Sequence, residues 1–296
     1  MPRIAKLRSK TYLPDAQAQV AVHRVPVQRD MGAHRHEFIE VVIVLSGEGV
    51  HITAGKRQRL QAGDVLVINS SRSHAYENTR SLNLVNILVR EDVFRETEKE
   101  LGMLPGYHAL FTLEPVRWRQ RKFTGHLRLN PQDLNLAVSW IDRLEEETGK
   151  RSEGGRLLAR SWIILLIGLL ARRYDKFTAH APRLEMRLGR LLGQIEQDTC
   201  RKFNLVELSR QAAMSERTFL RRFREATGQS PLAYVNRARI RRAAQMLASR
   251  EPNLSITEIA FRCGFQDSNY FSRQFRRFTG TNPRSFRSRG QGYAVS

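Results

Sequence analysis

Three histidines and one carboxylate in the first third of the chain have the residue types and spacing of a metal or ligand site. His34, His36 and Glu40 are separated by even numbers of residues, so on a β-strand their side chains point to one face. His74 follows after the turn signal at Gly63-Asp64. Imidazole and carboxylate groups suit Zn, Fe, Mn or Ni. They equally suit a metal-free polar pocket, in which they bind one another or a sugar.

A second set of chemically active residues lies in the last third of the chain, where one pattern occurs twice. Arg221 to Pro231 returns as Arg273 to Pro283, with Arg, Phe, Arg, Thr, Gly and Pro at the same offsets. A repeat of this length indicates one structural unit built twice. Arginine pairs with guanine or phosphate, and asparagine pairs with adenine. The exposed faces of the two copies carry Arg217, Arg221, Arg222 and Arg224, then Asn269, Arg273, Arg276 and Arg277.

Each copy is predicted to fold as a helix, a tight turn and a second helix, near 205–224 and 256–278. Asn204 and Ser215 are predicted N-caps in the first copy, and Ser255 with Glu258 has capping-box spacing in the second. Gly264 suits the left-handed end of a helix. This is the helix-turn-helix shape, whose second helix enters a DNA major groove.

The segment from about Leu184 to Arg287 resembles the DNA-binding domain of the AraC/XylS family of bacterial transcription regulators. The resemblance rests on the phrases 256–260, 263–265 and 270–273, and the run 263–272 is similar to the rhamnose-responsive members. It implies two recognition helices in successive major grooves, RNA polymerase as a partner and a dimer. The DNA-contacting positions that it implies are Arg217, Leu220, Arg221, Arg222, Arg224, Ser268, Asn269, Ser272, Arg273 and Arg276.

The histidine-bearing segment resembles the cupin pattern, in which two His, a Glu and a third His from two motifs converge inside a β-barrel. The first motif matches through Gly47 and the second at Gly63, His74 and Asn78, but Asn69 and Ser71 depart from the pattern. The resemblance implies metal ligands at His34, His36, Glu40 and His74. In the regulator family the same barrel is an effector pocket, often without metal. Its predicted lining is His34, His36, Phe38, Glu40, His74 and Tyr76.

Patterning predicts an α+β chain with four parts. Short strands separated by glycines favour a cupin-like barrel over residues 1–130, with a strand over 38–45 that ends at Gly47 to Gly49. Helical periodicity follows over 131–174, a candidate dimerisation segment, because its second helix is apolar almost all round. Residues 175–183 are predicted to form a linker, and residues 184–296 are predicted to form an all-α DNA-binding domain. His23 and His51 read as ordinary strand or surface residues.

The amino-acid composition limits the classes of molecule that this chain is expected to bind. The formal net charge is +21, with 21 Lys and Arg against 9 Asp and Glu from Leu184 onward. This excess favours a polyanion such as double-stranded DNA. No apolar run is long enough to span a bilayer and no secretory signal is evident, so the chain is expected in the bacterial cytoplasm, without a membrane partner.

The sequence therefore predicts a DNA-binding transcription regulator, not an enzyme. It is expected to be an activator of sugar-utilisation genes, to bind a sugar such as rhamnose and to form a homodimer. No cofactor is required, although a divalent metal fits the barrel. One alternative is a metal-dependent cupin enzyme fused to a DNA-binding module, and another is a nonspecific DNA-coating protein. The effector, the operator and the sign of regulation are left open.

Overall fold

The computed structural model of the protein describes residues 5–13, 19–53, 55–70, 73–90, 93, 100–113, 127–149, 154–178, 184–249 and 254–289. The chain divides into two compact units, residues 1–189 and 190–296. The first unit contains the described strands, and the second is helical. The α+β fold class is confirmed. Among the described helices, none is long and apolar enough to cross a membrane.

The strands of the first unit form one curved sheet in the order β1-β3-β7-β4-β6-β8, with β2 added to β7 and β5 added to β4. The strands are β1 (Ala5–Leu7), β2 (Val20–Gln28), β3 (Met31–His36), β4 (Ile39–Thr53), β5 (Lys56–Leu60), β6 (Asp64–Ile68), β7 (His74–Val89) and β8 (Leu127–Arg128). One end of β7 pairs with β2 and the other end with β3, so the sheet folds over itself. This is the expected cupin-like arrangement.

Strand β4 shows why the sheet has two buried faces. Val41 and Ile43 belong to a core cluster that includes helical residues. Val42 and Val44, which point the other way, belong to a cluster inside the sheet's fold. Successive side chains of a strand alternate between faces, so an unbroken apolar run places one layer against helices and one in the interior.

The predicted end of this strand at Gly47 to Gly49 is wrong, because β4 continues to Thr53. The register with β7 instead shifts between Val44 and Val50. Gly47 has φ +78, and a Cβ there would lie 2.1 Å from the Ser81 carbonyl oxygen. The glycine therefore allows a β-bulge that bends the strand without ending it.

The first unit also contains the helices α1 (Ser9–Tyr12), α2 (Pro105–Tyr107) with a π-helical extension (His108–Leu113), α3 (Pro131–Gly149) and α4 (Gly155–Thr178). Helices α2, α3 and α4 cover the outer face of the sheet, whereas Tyr12 of α1 packs against a separate cluster that contains Phe38 and Leu88. Ala137 and Ile141 of α3 and Ile163 and Ile167 of α4 are fully buried in the shared core. Helix α4 extends four residues past the predicted boundary at Tyr174, because no glycine or proline interrupts the chain before Pro182. The rest of the predicted linker, 179–183, lies outside the described residues.

Helix α5 (Leu184–Gln197) includes residues of both units. The second unit continues with α6 (Leu205–Gln211), α7 (Glu216–Thr227), α8 (Pro231–Ala248), α9 (Ile256–Arg262), α10 (Ser268–Thr279) and α11 (Pro283–Arg289). The predicted caps at Asn204 and Ser215 and the predicted capping box of Ser255 with Glu258 are confirmed. Asn204, Ser215, Ser230 and Asp267 each accept a backbone N–H, and Ser255 with Glu258 forms a complete capping box. Each cap fixes where a helix starts, and hence which residues its exposed face presents.

Candidate functional site

Strands β3, β4 and β7 bring the histidines of the first unit together. His34 is paired with His74 across β3 and β7. On the other side of β7, Thr53 of β4 is paired with His74, and His51 with Tyr76. His34, His36, Glu40, His51 and His74 are all buried. These polar side chains of β3, β4 and β7 therefore lie close together in the interior of the folded sheet, around one end of β7.

Three ligand atoms of this cluster converge. Glu40 Oε2 lies 3.3 Å from His36 Nε2 and 3.4 Å from His74 Nε2. His36 Nδ1 donates a hydrogen bond to the Phe38 carbonyl oxygen at 2.6 Å. Because a carbonyl oxygen can only accept, this contact places a hydrogen on His36 Nδ1, and Nε2 faces the carboxylate. The group His36, Glu40 and His74, with ligand atoms within 4.8 Å of one another, has the geometry of a cation or ligand site.

The residues present fit a divalent metal. His36 Nε2, Glu40 Oε2 and His74 Nε2 are buried and have no hydrogen-bond partner among the described residues. A buried polar atom without a partner is destabilising by about 1–3 kcal/mol, so such atoms usually serve a ligand. Two imidazoles and a carboxylate are a donor set that transition metals accept. Bound there, a metal would supply a Lewis acid for hydroxyl or carboxylate oxygens.

His34, the fourth predicted ligand, lies outside this three-residue group. Its Nδ1 is 3.0 Å from the Gly32 carbonyl oxygen, and its ring centroid is 4.1 Å from that of His74. The even spacing of His34 and His36 correctly places both in the interior. The spacing does not determine which other side chains each histidine contacts. In the structure the His34 ring packs against the His74 ring and not into the three-residue group.

His51 belongs to the cluster, so its interpretation as an ordinary strand residue is wrong. Its Nε2 lies 3.2 Å from His74 Nδ1, within hydrogen-bonding distance. A hydrogen bond to the second ring nitrogen of a ligating histidine commonly orients that ligand. Its position relative to the other histidines depends on pairing between β4 and β7, which residue spacing does not reveal.

The two aromatic residues of the predicted pocket have different surroundings. Phe38 stacks in parallel on the His36 ring at 4.7 Å. Tyr76 is buried, and its hydroxyl has no hydrogen-bond partner among the described residues. Burial, with the charge of Glu40, raises the pKa of Tyr76 well above its usual value. The neutral phenol therefore remains a donor for a ligand in the interior.

Burial also lowers the pKa of His51 and His74, which keeps these two imidazoles neutral. It lowers the pKa of His51 to about 3, helped by the charge of His34. Burial first, then the neighbouring charges of His51, His34 and His36, lowers the pKa of His74. Neutral imidazoles have lone pairs to bind a metal or to accept a hydroxyl hydrogen.

In the second unit, helices α7 and α10 each expose a basic face opposite a buried phenylalanine face. Phe219 and Phe223 of α7 and Phe271 and Phe275 of α10 are fully buried. The predicted DNA-contacting residues that are exposed are Arg217, Leu220, Arg221, Arg224, Asn269, Arg273 and Arg276. Arg222, Ser268 and Ser272 are half-buried. The position of the N-cap determines which residues of each helix are exposed, because the direction in which each side chain points is fixed relative to the first turn.

Leu220 differs from the other exposed residues of α7. It is 39% exposed. It lines an open, mostly apolar concavity of about 180 Å³ with residues of α6 and the start of α8, among them Leu205, Leu208 and Leu232. The side chain therefore borders both the basic face and this concavity.

Comparison with known proteins identifies one domain in each part of the chain. A profile described as a helix-turn-helix domain matches residues 208–289, and one described as a cupin domain matches residues 21–89. The HTH-type transcriptional activator RhaS of Escherichia coli is 31% identical over 290 residues, covering 97% of this chain and 98% of its own. The chain belongs to the AraC family of transcription regulators. It joins a cupin domain to a helix-turn-helix domain in one chain.

Two solved structures are also similar to parts of this AraC-family chain. The DNA-binding domain of AdpA in complex with a target DNA is 32% identical, covering 35% of this chain and 91% of that one, with a TM-score of 0.33. A probable AraC family transcriptional regulator from Rhodopseudomonas palustris is 26% identical, covering 33% and 92%, with a TM-score of 0.32.

Proposed function

We propose that this AraC-family regulator is a cytoplasmic bacterial transcription activator, not an enzyme, and that its DNA binding responds to a small molecule in the barrel. The pair of capped helices with matching basic faces carries the proposal. The relative's description as a transcriptional activator supports the sign of regulation.

Helices α7 and α10 are proposed to enter successive major grooves of one duplex. Arg217, Arg221 and Arg273 suit guanine, and Asn269 suits adenine. Arg224 and Arg276, at matching places one turn before each helix end, suit phosphates. The connecting helix α8 has 18 residues and so spans about 27 Å. That length is comparable to the roughly 34 Å between neighbouring major grooves.

The cluster of His36, Glu40, His74, His51 and Tyr76 is proposed to bind the effector. A sugar such as rhamnose has several hydroxyls, each of which donates and accepts hydrogen bonds. The cluster offers a carboxylate, imidazoles and a phenol. The atoms without a hydrogen-bond partner among the described residues lie on three strands and are His36 Nε2, Glu40 Oε2, His74 Nε2 and the Tyr76 hydroxyl. Convergent polar groups in an apolar interior are the usual means of recognising such a ligand.

The outer face of α4 is proposed to form the homodimer interface. Leu158 and Leu165 are each 46% exposed and lie seven residues, or two turns, apart. Large aliphatic side chains repeated on one helix face indicate a surface that a partner helix covers. An activator of this kind would also contact RNA polymerase.

The test uses the full chain and an operator selected by it from random duplexes. We expect operator affinity to exceed affinity for unrelated duplex by about 10³-fold or more, as is usual for specific regulators. We also expect one sugar in a panel to change operator affinity or promoter activity. Dialysis against a chelator, with metal analysis, separates a metal-assisted pocket from a metal-free one. Equal affinity for all duplexes would refute the proposed function.

A further inference from the structure

The two DNA-facing helices carry opposite charges at one matched position. Glu225 of α7 corresponds to Arg277 of α10 in the repeat. The backbones around them are alike. Gly228 and Gly280 follow the two helices with φ +77 and +76, and each donates its N–H to a carbonyl four residues earlier. The carboxylate of Glu225 and the guanidinium of Arg277 therefore occupy equivalent positions on backbones of the same local conformation.

Glu225 binds two arginines of its own helix. Arg221 Nη1 donates to Glu225 Oε1 at 2.9 Å, and Arg222 Nη1 donates to Oε2 at 3.2 Å. Burial raises the pKa of Glu225, but the hydrogen bonds and charges of Arg221 and Arg222 together lower it below its usual value. Each oxygen of an ionised carboxylate therefore holds one guanidinium.

Arg221 keeps the donors that a base contact needs. A guanidinium has five N–H donors in a fixed fork, so a bond from Nη1 leaves the Nε and Nη2 edge available. A free arginine loses side-chain entropy when it is ordered on DNA, whereas one already held across a helical turn loses less. In α10, by contrast, no described acidic residue forms an ion pair with Arg273, Arg276 or Arg277.

We propose that Glu225 is a positioning residue that orients Arg221 for base recognition and reduces the nonspecific attraction of α7 to phosphate. The inference rests on the proposed DNA-binding function. Helix α7 then contributes mainly discrimination between sequences. Helix α10, whose arginines form no ion pair with a described carboxylate, contributes mainly salt-sensitive affinity.

The experiment compares Glu225→Gln with Glu216→Gln in the full chain. Glu216 is the other acid of α7, is exposed, and has no ion pair with a described residue. Both variants therefore remove one negative charge from the same helix. Binding is measured by fluorescence anisotropy over a salt series. The duplexes are the selected operator, operators with single base changes in each half-site, and an unrelated sequence.

For Glu225→Gln we expect discrimination at the base step read by α7 to fall about fivefold, with no change at the steps read by α10. Binding to unrelated duplex should tighten, and the slope of log affinity against log salt should steepen by about one. Glu216→Gln should change affinity for all duplexes alike. Arg277→Glu places an acid four residues after Arg273, and should sharpen discrimination in the second half-site.

Equal behaviour of Glu225→Gln and Glu216→Gln, in proteins with the unfolding midpoint of the parent chain, would overturn the positioning role. So would unchanged second-half-site discrimination in Arg277→Glu. If the parent chain itself prefers no operator over unrelated duplex, the proposed function fails, and this inference fails with it.

Discussion

At the scale of single residues, function depends on side chains whose charge state is fixed by their surroundings. Burial keeps His51 and His74 neutral, and Glu40 Oε2 faces the Nε2 atoms of His36 and His74 without a hydrogen bond to any described residue. The arginines of α7 and α10 are exposed, apart from the half-buried Arg222. Burial thus gives one unit neutral ligand donors, and exposure gives the other a polyanion-binding face.

Replacing Arg217 by alanine should weaken and relax recognition at one base step by about 1–3 kcal/mol, because a bidentate contact to guanine is lost. Arg210→Ala, which removes an exposed arginine of the neighbouring helix α6, is the matched control. The measurement is affinity for operators that carry each base at that step. Discrimination unchanged from the parent chain would show that Arg217 does not contact a base.

Acid should destabilise the first unit through His51. Its pKa is about 3 in the folded chain, against the ordinary histidine value of 6.5 in the unfolded chain. Between these values the unfolded chain binds a proton that the folded chain excludes, so stability is full above pH 6.5 and declines as pH falls toward 3. The slope for one such group approaches about 1.4 kcal/mol per pH unit. Thermal unfolding in chelator-containing buffer should show a shallower dependence of stability on pH in His51→Gln than in the parent chain.

At the scale of elements, the helices of the second unit could be predicted closely from the sequence. Asn204, Ser215, Ser255 and Asp267 are strong N-cap residues just before apolar periodic runs, so local chemistry determines these starts. The barrel was less predictable. The bulge at Gly47 and the contact of His51 with His74 depend on strand pairing between residues distant in sequence, which local patterns do not contain.

Two glycines of the second unit provide a matched test of backbone packing. Gly228 has φ +77 and open space where an added Cβ would lie, whereas Gly264 has φ +88 and would place a Cβ 2.7 Å from the Thr199 carbonyl oxygen. Gly228→Ala should therefore lower the free energy of unfolding by about 1–2 kcal/mol, for the left-handed conformation alone. Gly264→Ala should lower it by more than about 3 kcal/mol, which is the level of severe mutations. Denaturant unfolding that gives equal losses would contradict the close packing at Gly264.

At the scale of the whole molecule, the proposed effector site and the proposed DNA-binding helices lie in separate parts of the chain. The buried cluster lies within residues 1–189, and the basic helices lie within residues 190–296. Each part has its own apolar core. Changes inside the barrel should therefore alter the response to effector without removing the DNA-binding face.

The double variant His34→Ala and His74→Ala tests this separation. It removes a metal or effector ligand and the ring packed against it, so the response to the effector should be reduced by about tenfold or more. Operator affinity without effector should stay within about twofold of the parent chain. His23→Ala, on β2 outside the cluster, should preserve the response. Loss of operator affinity in a folded double variant would show that the two functions are not separable.

The most direct measurement of the central claim is a chemical footprint of the selected operator bound to the full chain. The two helices of each protomer, bound to one face of the duplex, should protect two major-groove segments about 10 base pairs apart, so a bound homodimer should protect two such pairs. Arg217→Ala should alter only one segment of each pair and Asn269→Ala only the other. A single protected segment per protomer, or a pair whose two segments lie on opposite faces of the duplex, would contradict the account.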